Sequence, residues 1–151
     1  MHKSDCLFCR IVAGEEQAWK VYEDKDHIAF LTPFPNTPGF TVLITREHFG
    51  SYLFDLEKNR YVSMLKAARK LAKILDKKLG TTRTGLIIEG MGVDHAHIKL
   101  VPMHGIPEGD WKPIRSASPD FHDQYRGFLE SKDGPRMADE ELERVQKSIA
   151  G

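Results

Sequence analysis

A single stretch of helical periodicity, with strand-like segments on both sides, limits the fold of this chain more than any other feature. Leu56, Met64, Leu65, Ala68, Leu71, Ala72, Leu75 and Leu79 recur at three- and four-residue steps, the spacing that gathers side chains on one face of a helix. Lys66, Arg69, Lys70, Lys73 and Lys77 occupy the other face, and Gly80 stands where a helix would be capped. Ahead of this helix, Ala18–Tyr22, His27–Leu31 and Phe40–Thr45 read as strands. The first two are separated by a turn at Asp24-Lys25-Asp26. Between the second and third, prolines at 33, 35 and 38 exclude helix and central strand from Thr32–Gly39. Behind the helix, Gly85–Ile88 and Val93–Val101 are strand-like again. Strands clustered before and after one helix predict an α+β fold with an antiparallel sheet of about five strands, not a parallel βαβ array.

The 151 residues suit one domain with an appendage. From Met103 to Gly134 the chain mixes Pro, Gly, Ser and Asp with Trp111, Phe121, Tyr125 and Phe128 and shows no period. A last helix is expected over about Asp139–Ile149, its acidic start suiting the positive end of the helix dipole. The organisation predicted is a domain over 1–102 and a C-terminal extension over 103–151, packed on the domain or on a dimer partner. Lysine plus arginine and aspartate plus glutamate both number 22. That balance argues against a protein that holds nucleic acid by broad electrostatics, while a local pocket for one phosphate group remains allowed. The basic helix face therefore reads as a solvated surface. No apolar run is long enough to span a membrane, and Met1–Asp5 lacks the apolar core of a secretory leader. A cytoplasmic protein without membrane or nucleic-acid partners is expected. Its two cysteines, spaced Cys6-x-x-Cys9, suggest metal or redox chemistry in a reducing compartment.

The segment richest in chemistry is Gly90-Met91-Gly92-Val93-Asp94-His95-Ala96-His97-Ile98-Lys99-Leu100-Val101. Polar and apolar residues alternate from His95 to Leu100, so on a strand His95, His97 and Lys99 share one face. Three nitrogen bases in a row would repel one another if all were charged, and something anionic or metallic is expected above them. The residues alone leave three readings: a basic solvent-facing strand, a metal site, or a histidine attacking a phosphate. Gly90 and Gly92 permit a tight turn whose backbone N–H groups could cradle such a phosphate.

Gly90-x-Gly92-x-x-His95-x-His97-x-Lys99 resembles the histidine triad (HIT) signature, His-φ-His-φ-His-φ-φ, with Lys99 in place of the third histidine. The likeness runs in order through Asp5–Glu15, Val21–Asp24, Phe30-Leu31 and Gly39–His48 to the triad strand. The resemblance implies a HIT-type antiparallel sheet, a homodimer, and a nucleotide hydrolase or transferase acting on a purine nucleotide. It makes His97 the nucleophile toward an α-phosphorus, giving a nucleotidyl-histidine, with His95 and Lys99 as the other catalytic positions. Phe30 and Leu31 match the purine wall, and Thr32 falls where many members hold the ribose with aspartate. Gly90, Gly92 and Val93 match the phosphate turn, although some members carry serine at the position of Gly92. In the branch that keeps the cysteines, a structural zinc is held by two cysteines and two histidines, here Cys6, Cys9, His48 and His95. Dinucleoside polyphosphates, nucleoside phosphoramidates and acyl-nucleotides are the substrate classes implied. The change at Lys99 leaves water and another acceptor, such as phosphate, both open. Two other readings stand beside the enzyme. Lys99 and Thr32 would also suit a nucleotide-binding or regulatory module with impaired catalysis, and the cysteines a zinc-stabilised interaction module. The remaining histidines read as surface or turn residues.

Overall fold

The computed structural model describes residues 3–109 and 136–150. The segment carrying Trp111, Phe121, His122, Tyr125 and Phe128 lies outside the described residues. The strands are β1 (Trp19–Glu23), β2 (His27–Leu31), β3 (Thr41–Thr45), β4 (Thr84–Ile87) and β5 (His97–Pro102). The helices are α1 (Leu7–Ala13), α2 (Lys58–Leu79) and α3 (Asp139–Ala150). All strand pairs are antiparallel, in the order β1-β2-β3-β5-β4. The α+β sheet expected from the sequence is thus observed, with α1 as a short helix in front of it.

Local chemistry sets the element ends. The carboxylate of Asp24 accepts hydrogen bonds from the Asp26 and His27 backbone N–H groups and from Tyr22 Oη, which closes the β1–β2 hairpin. The helical period begins at Leu56, but α2 starts at Lys58. Leu53–Asp55 forms a 3-10 turn that ends on Leu56, and the Glu57 side chain caps the Asn59 N–H. At the other end Gly80 adopts the left-handed conformation and the Asp76 carboxylate accepts from Thr84 Oγ1 at 2.8 Å, tying the helix to β4.

The two sheet faces are covered differently. On one, Trp19, Val21, Ala29, Leu31, Leu43, Ile98 and Leu100 meet Met64, Ala68, Leu71 and Leu75 of α2 and Leu142, Val145 and Ile149 of α3. On the other, Ile28, Phe30, Val42 and Ile44 meet Phe8, Cys9 and Ile11 of α1 and Phe40. Covered on both sides, β2 and β3 are buried at every position, which is why their sequences are apolar runs without alternation. Since α1 has only seven residues, it roofs part of its face and leaves the rest as a cleft. Among the described residues, no helix is long and apolar enough to cross a membrane.

The contribution of α3 is large for its length. Leu142 and Ile149 are each 1 % exposed, and burying such a side chain is worth about 1.5–3 kcal/mol. Gln146 also donates from Nε2 to the Lys20 carbonyl, and the Met137 N–H to the Pro33 carbonyl. We expect Leu142→Ala to destabilise the protein by about 2–5 kcal/mol in urea unfolding; a change within about 0.5 kcal/mol, as at a surface site, would show that α3 is dispensable to the core.

Candidate active site and metal centre

The alternation at His95–Leu100 is realised: Ala96, Ile98 and Leu100 enter the helix-side core, while His95 and His97 both meet Phe8 of α1 on the other face. Just ahead of β5, the His95 N–H donates to the Val93 carbonyl and the Ala96 N–H to that of Phe49. The three bases share a face but do not form an open row. They divide into two neighbouring sites, with both imidazoles buried.

The first site gathers Cys6, Cys9, His48 and His95, whose ligand atoms all lie within 4.8 Å of one another. Cys6 Sγ is 3.5 Å and Cys9 Sγ 3.7 Å from His95 Nδ1, and Cys9 Sγ is 3.5 Å from His48 Nδ1. The sequence explains the convergence. Cys6 precedes α1 and Cys9 lies in its first turn, so both thiols reach the same point, and β3 and the loop before β5 bring the histidines to it. His95 Nε2 is 2.8 Å from the Thr45 carbonyl, which can only accept, so Nε2 carries the proton and Nδ1 turns its lone pair to the sulfurs. Burial pushes His95 down to about 4 and His48 below its ordinary value, and it raises the Cys9 thiol. Two soft sulfurs and two neutral imidazoles form a donor set suited to a tetrahedral ion.

The second site is a cleft of about 280 Å³ on the sheet face that α1 leaves uncovered. Its floor carries Phe30 and Val42 with His97 and Lys99, and its walls are α1, the Thr32–Phe34 loop and the Met91–Val93 turn. Phe8 of α1 stands edge-on to Phe30, His95 and His97, which fixes the imidazole planes. His97 Nδ1 donates to the His95 carbonyl at 2.7 Å, so the lone pair of the neutral ring is on Nε2. Burial lowers its affinity for a proton, against the opposing pull of the His95 carbonyl, and the Lys99 charge adds to the lowering. The result is an uncharged imidazole in a cleft with a cation nearby.

Of the residues expected in a nucleotide site, His97, Lys99, Phe30, Leu31, Thr32, Gly92 and Val93 all border this cleft. Phe30 and Leu31 contribute differently: Phe30 packs with the cleft-side cluster, whereas the Leu31 side chain packs with the helix-side core. Gly90 lies behind the turn, where an added Cβ would come within 2.8 Å of the Ser51 carbonyl oxygen at a φ of +70°. Its role in the turn is therefore close packing. Gly92, at φ +99°, faces open space.

Three residues at these sites escaped the sequence reading. Glu89 places Oε1 2.5 Å from Lys99 Nζ, with side chains 8 % and 16 % exposed. Thr45 orients His95, and Asp94 accepts from the Ser51 N–H to hold the neighbouring loop. Only the position of Glu89, directly ahead of the Gly-x-Gly turn, offered a signal. A larger cavity of about 440 Å³ lies beside Arg46 and Arg60. Both arginines there are paired, with Glu23 and Glu47.

The depressed histidines have a stability consequence. A histidine held neutral by the fold binds its proton less readily than in the unfolded chain, so the stability it confers is present above about pH 6.5 and lost as pH falls. For metal-free protein we expect the loss attributable to His95 to run from about pH 6.5 toward 4 and to reach on the order of 3 kcal/mol. His48 and His97 act in the same direction. Urea midpoints measured across this range test it, and a flat profile would contradict it.

Comparison with known proteins identifies the family and the fold. The HIT domain family model matches residues 13–107. An uncharacterized HIT-like protein of Saccharolobus solfataricus is 30% identical over 149 residues, covering 95% of this chain and 94% of its own. Adenosine 5'-monophosphoramidase HNT1 of Saccharomyces cerevisiae is 31% identical over 103 residues, covering 64% of this chain and 61% of that protein. The structure of a Zn-bound histidine triad family protein from Mycobacterium smegmatis shares the fold, with a TM-score of 0.67 at 22% identity over 97% of this chain and 91% of its own. With more than half of its length matched by the family model, the chain belongs to the HIT domain family.

Proposed function

We propose that this protein is a nucleotidyl hydrolase or transferase that cleaves at the α-phosphate of a purine nucleotide derivative through a covalent nucleotidyl-His97. The observation that carries the reading is the hydrogen bond from His97 Nδ1 to the His95 carbonyl, which leaves the lone pair on Nε2 in a cleft sized for a small ligand. A neutral nitrogen approaches a phosphate without charge repulsion. Nε2 attacks phosphorus, the bond to the leaving group breaks, and water or another acceptor then takes the nucleotidyl group from His97. Phe30 offers an aromatic surface for the base, Thr32 a hydroxyl for the ribose, and the Gly92-Val93 backbone donors for the phosphoryl oxygens. Positioning and electrostatics dominate such transfers, so a small sheet with a glycine turn suffices.

Zinc is the ion we assign to Cys6, Cys9, His48 and His95. With metal–sulfur bonds near 2.3 Å and metal–nitrogen bonds near 2.0 Å, the edges of a zinc tetrahedron are roughly 3.3–3.8 Å. The observed sulfur–nitrogen separations of 3.5, 3.5 and 3.7 Å fall in that range. A four-ligand centre has no open position, so its contribution is structural: it locks α1 and His95, and through the His95 carbonyl the ring of His97. The homodimer reading gains support from β4, an edge strand whose Leu86 side chain is exposed and available to a second copy.

Two outcomes are expected. AMP release from diadenosine polyphosphates, ADP and adenosine phosphoramidate should fall about 10³-fold or more in His97→Ala, with an adenylyl adduct trapped on His97 in wild type. ADP formed only when phosphate is added would identify a transferase, and no product from wild type would overturn the enzymatic reading. The purified protein should carry one zinc per chain, retained in His97→Ala. Cys9→Ser should lose it together with roughly 5 °C or more of Tm; full metal content in Cys9→Ser would rule the centre out.

A further inference from the structure

Lys99 lies two residues beyond His97 on the same strand face, which places the two side chains roughly 6.5–7 Å apart along the cleft floor. Its ammonium is in contact with the Glu89 carboxylate. The contact is built by the sheet: Ile87 of β4 pairs with Lys99 of β5, and Glu89 follows two residues later. Glu89 does not border the cleft, so it acts through Lys99 and is a positioning residue. An ammonium has three N–H donors. One is engaged by Glu89, and the group still presents positive charge to an oxyanion in the cleft. With a carboxylate already accepting from it, the ammonium serves an oxyanion in the cleft as a compact point charge.

Resting on the reading of His97 as nucleophile, we infer that the Lys99–Glu89 pair makes this site selective for anhydrides, whose leaving group departs as an oxyanion, over phosphoramidates, whose leaving group is an amine. In an anhydride, Nε2 of His97 forms its bond to the α-phosphorus while the phosphorus–oxygen bond breaks. The electron pair goes to a phosphate or carboxylate oxygen, and the ammonium meets the new charge with no proton transferred. In a phosphoramidate the electron pair would go to nitrogen, and that strongly basic leaving group needs a proton in the transition state. A carboxylate-paired ammonium supplies charge there and withholds the proton.

The test compares kcat/KM for AMP release from diadenosine tetraphosphate and from adenosine 5'-phosphoramidate in wild type, Lys99→His and Glu89→Gln. Wild type should favour the anhydride by about tenfold or more, and Lys99→His should move the ratio at least about tenfold toward the phosphoramidate. Glu89→Gln should lower kcat on the anhydride about tenfold while the Kd for AMP stays within about twofold. Should Lys99→His fail to fold, the wild-type ratio and the behaviour of Glu89→Gln decide. Equal or better cleavage of the phosphoramidate by wild type, an unmoved ratio in Lys99→His, or AMP binding lost together with kcat in Glu89→Gln overturns the selectivity while His97 stands as nucleophile. No cleavage of either substrate and no adduct on His97 means that nucleotidyl transfer itself fails, and this inference with it.

Discussion

Everything chemical in this molecule passes through the His95 imidazole and its backbone carbonyl. Nε2 is tied to the Thr45 carbonyl, Nδ1 faces the two sulfurs, and the main-chain oxygen accepts the proton of His97 Nδ1. One residue thereby fixes the tautomer of two rings. The Thr45 contact also couples the arrangement to the sheet, because β3 pairs along β5 from Thr41–Leu100 to Ile44–His97 and the next step brings the Thr45 N–H to the Ala96 carbonyl, beside His95. A one-residue slip of that register would turn His97 to the helix side and separate both sites. The full burial of β2 and β3 on two faces is what prevents such a slip.

The order of strands around one long helix was legible in the sequence because each element carries its own period or its own punctuation. The Cys-x-x-Cys and His-x-His spacings were legible for the same reason, being local. What stayed hidden is cross-strand. Lys99 reads as a lone cation in sequence, and its partner Glu89 becomes visible only when Ile87 is paired with Lys99. The alternation at His95–Leu100 placed the bases on one face, but it did not show their division: His95 faces the cysteines, whereas His97 and Lys99 face the cleft. Thr45 gave no signal, since the group that orients His95 is a backbone carbonyl, which every residue has.

The cleft exists because the two sheet faces are covered unequally. The helix side needs α2 and α3 together, and Met137, just ahead of α3, donates its N–H to the Pro33 carbonyl beside the cleft wall. On the other side α1 is short, and it is held at the sheet by Phe8 and the two cysteines. Seven residues of helix pack weakly alone, which gives the four-ligand centre a physical purpose. It would clamp an element too small to hold itself, directly above the ring it must keep in place.

Placing a cation beside the neutral His97 imidazole has an electrostatic cost as well as a use. The Lys99 charge disfavours protonation of His97, which keeps Nε2 available, while the Glu89 charge acts in the opposite direction. An unpaired ammonium, largely buried, would also carry a desolvation penalty that a hydrogen-bonded carboxylate offsets. Lysine at this position and glutamate ahead of the glycine turn are therefore one unit. Each makes the other tolerable in a site only partly open to water, and together they give the cleft floor a neutral sum with its positive end beside His97. A histidine in place of Lys99 would not need Glu89, because a neutral imidazole can be buried without a counter-charge. The departure at Lys99 and the unanticipated Glu89 thus have a single physical origin.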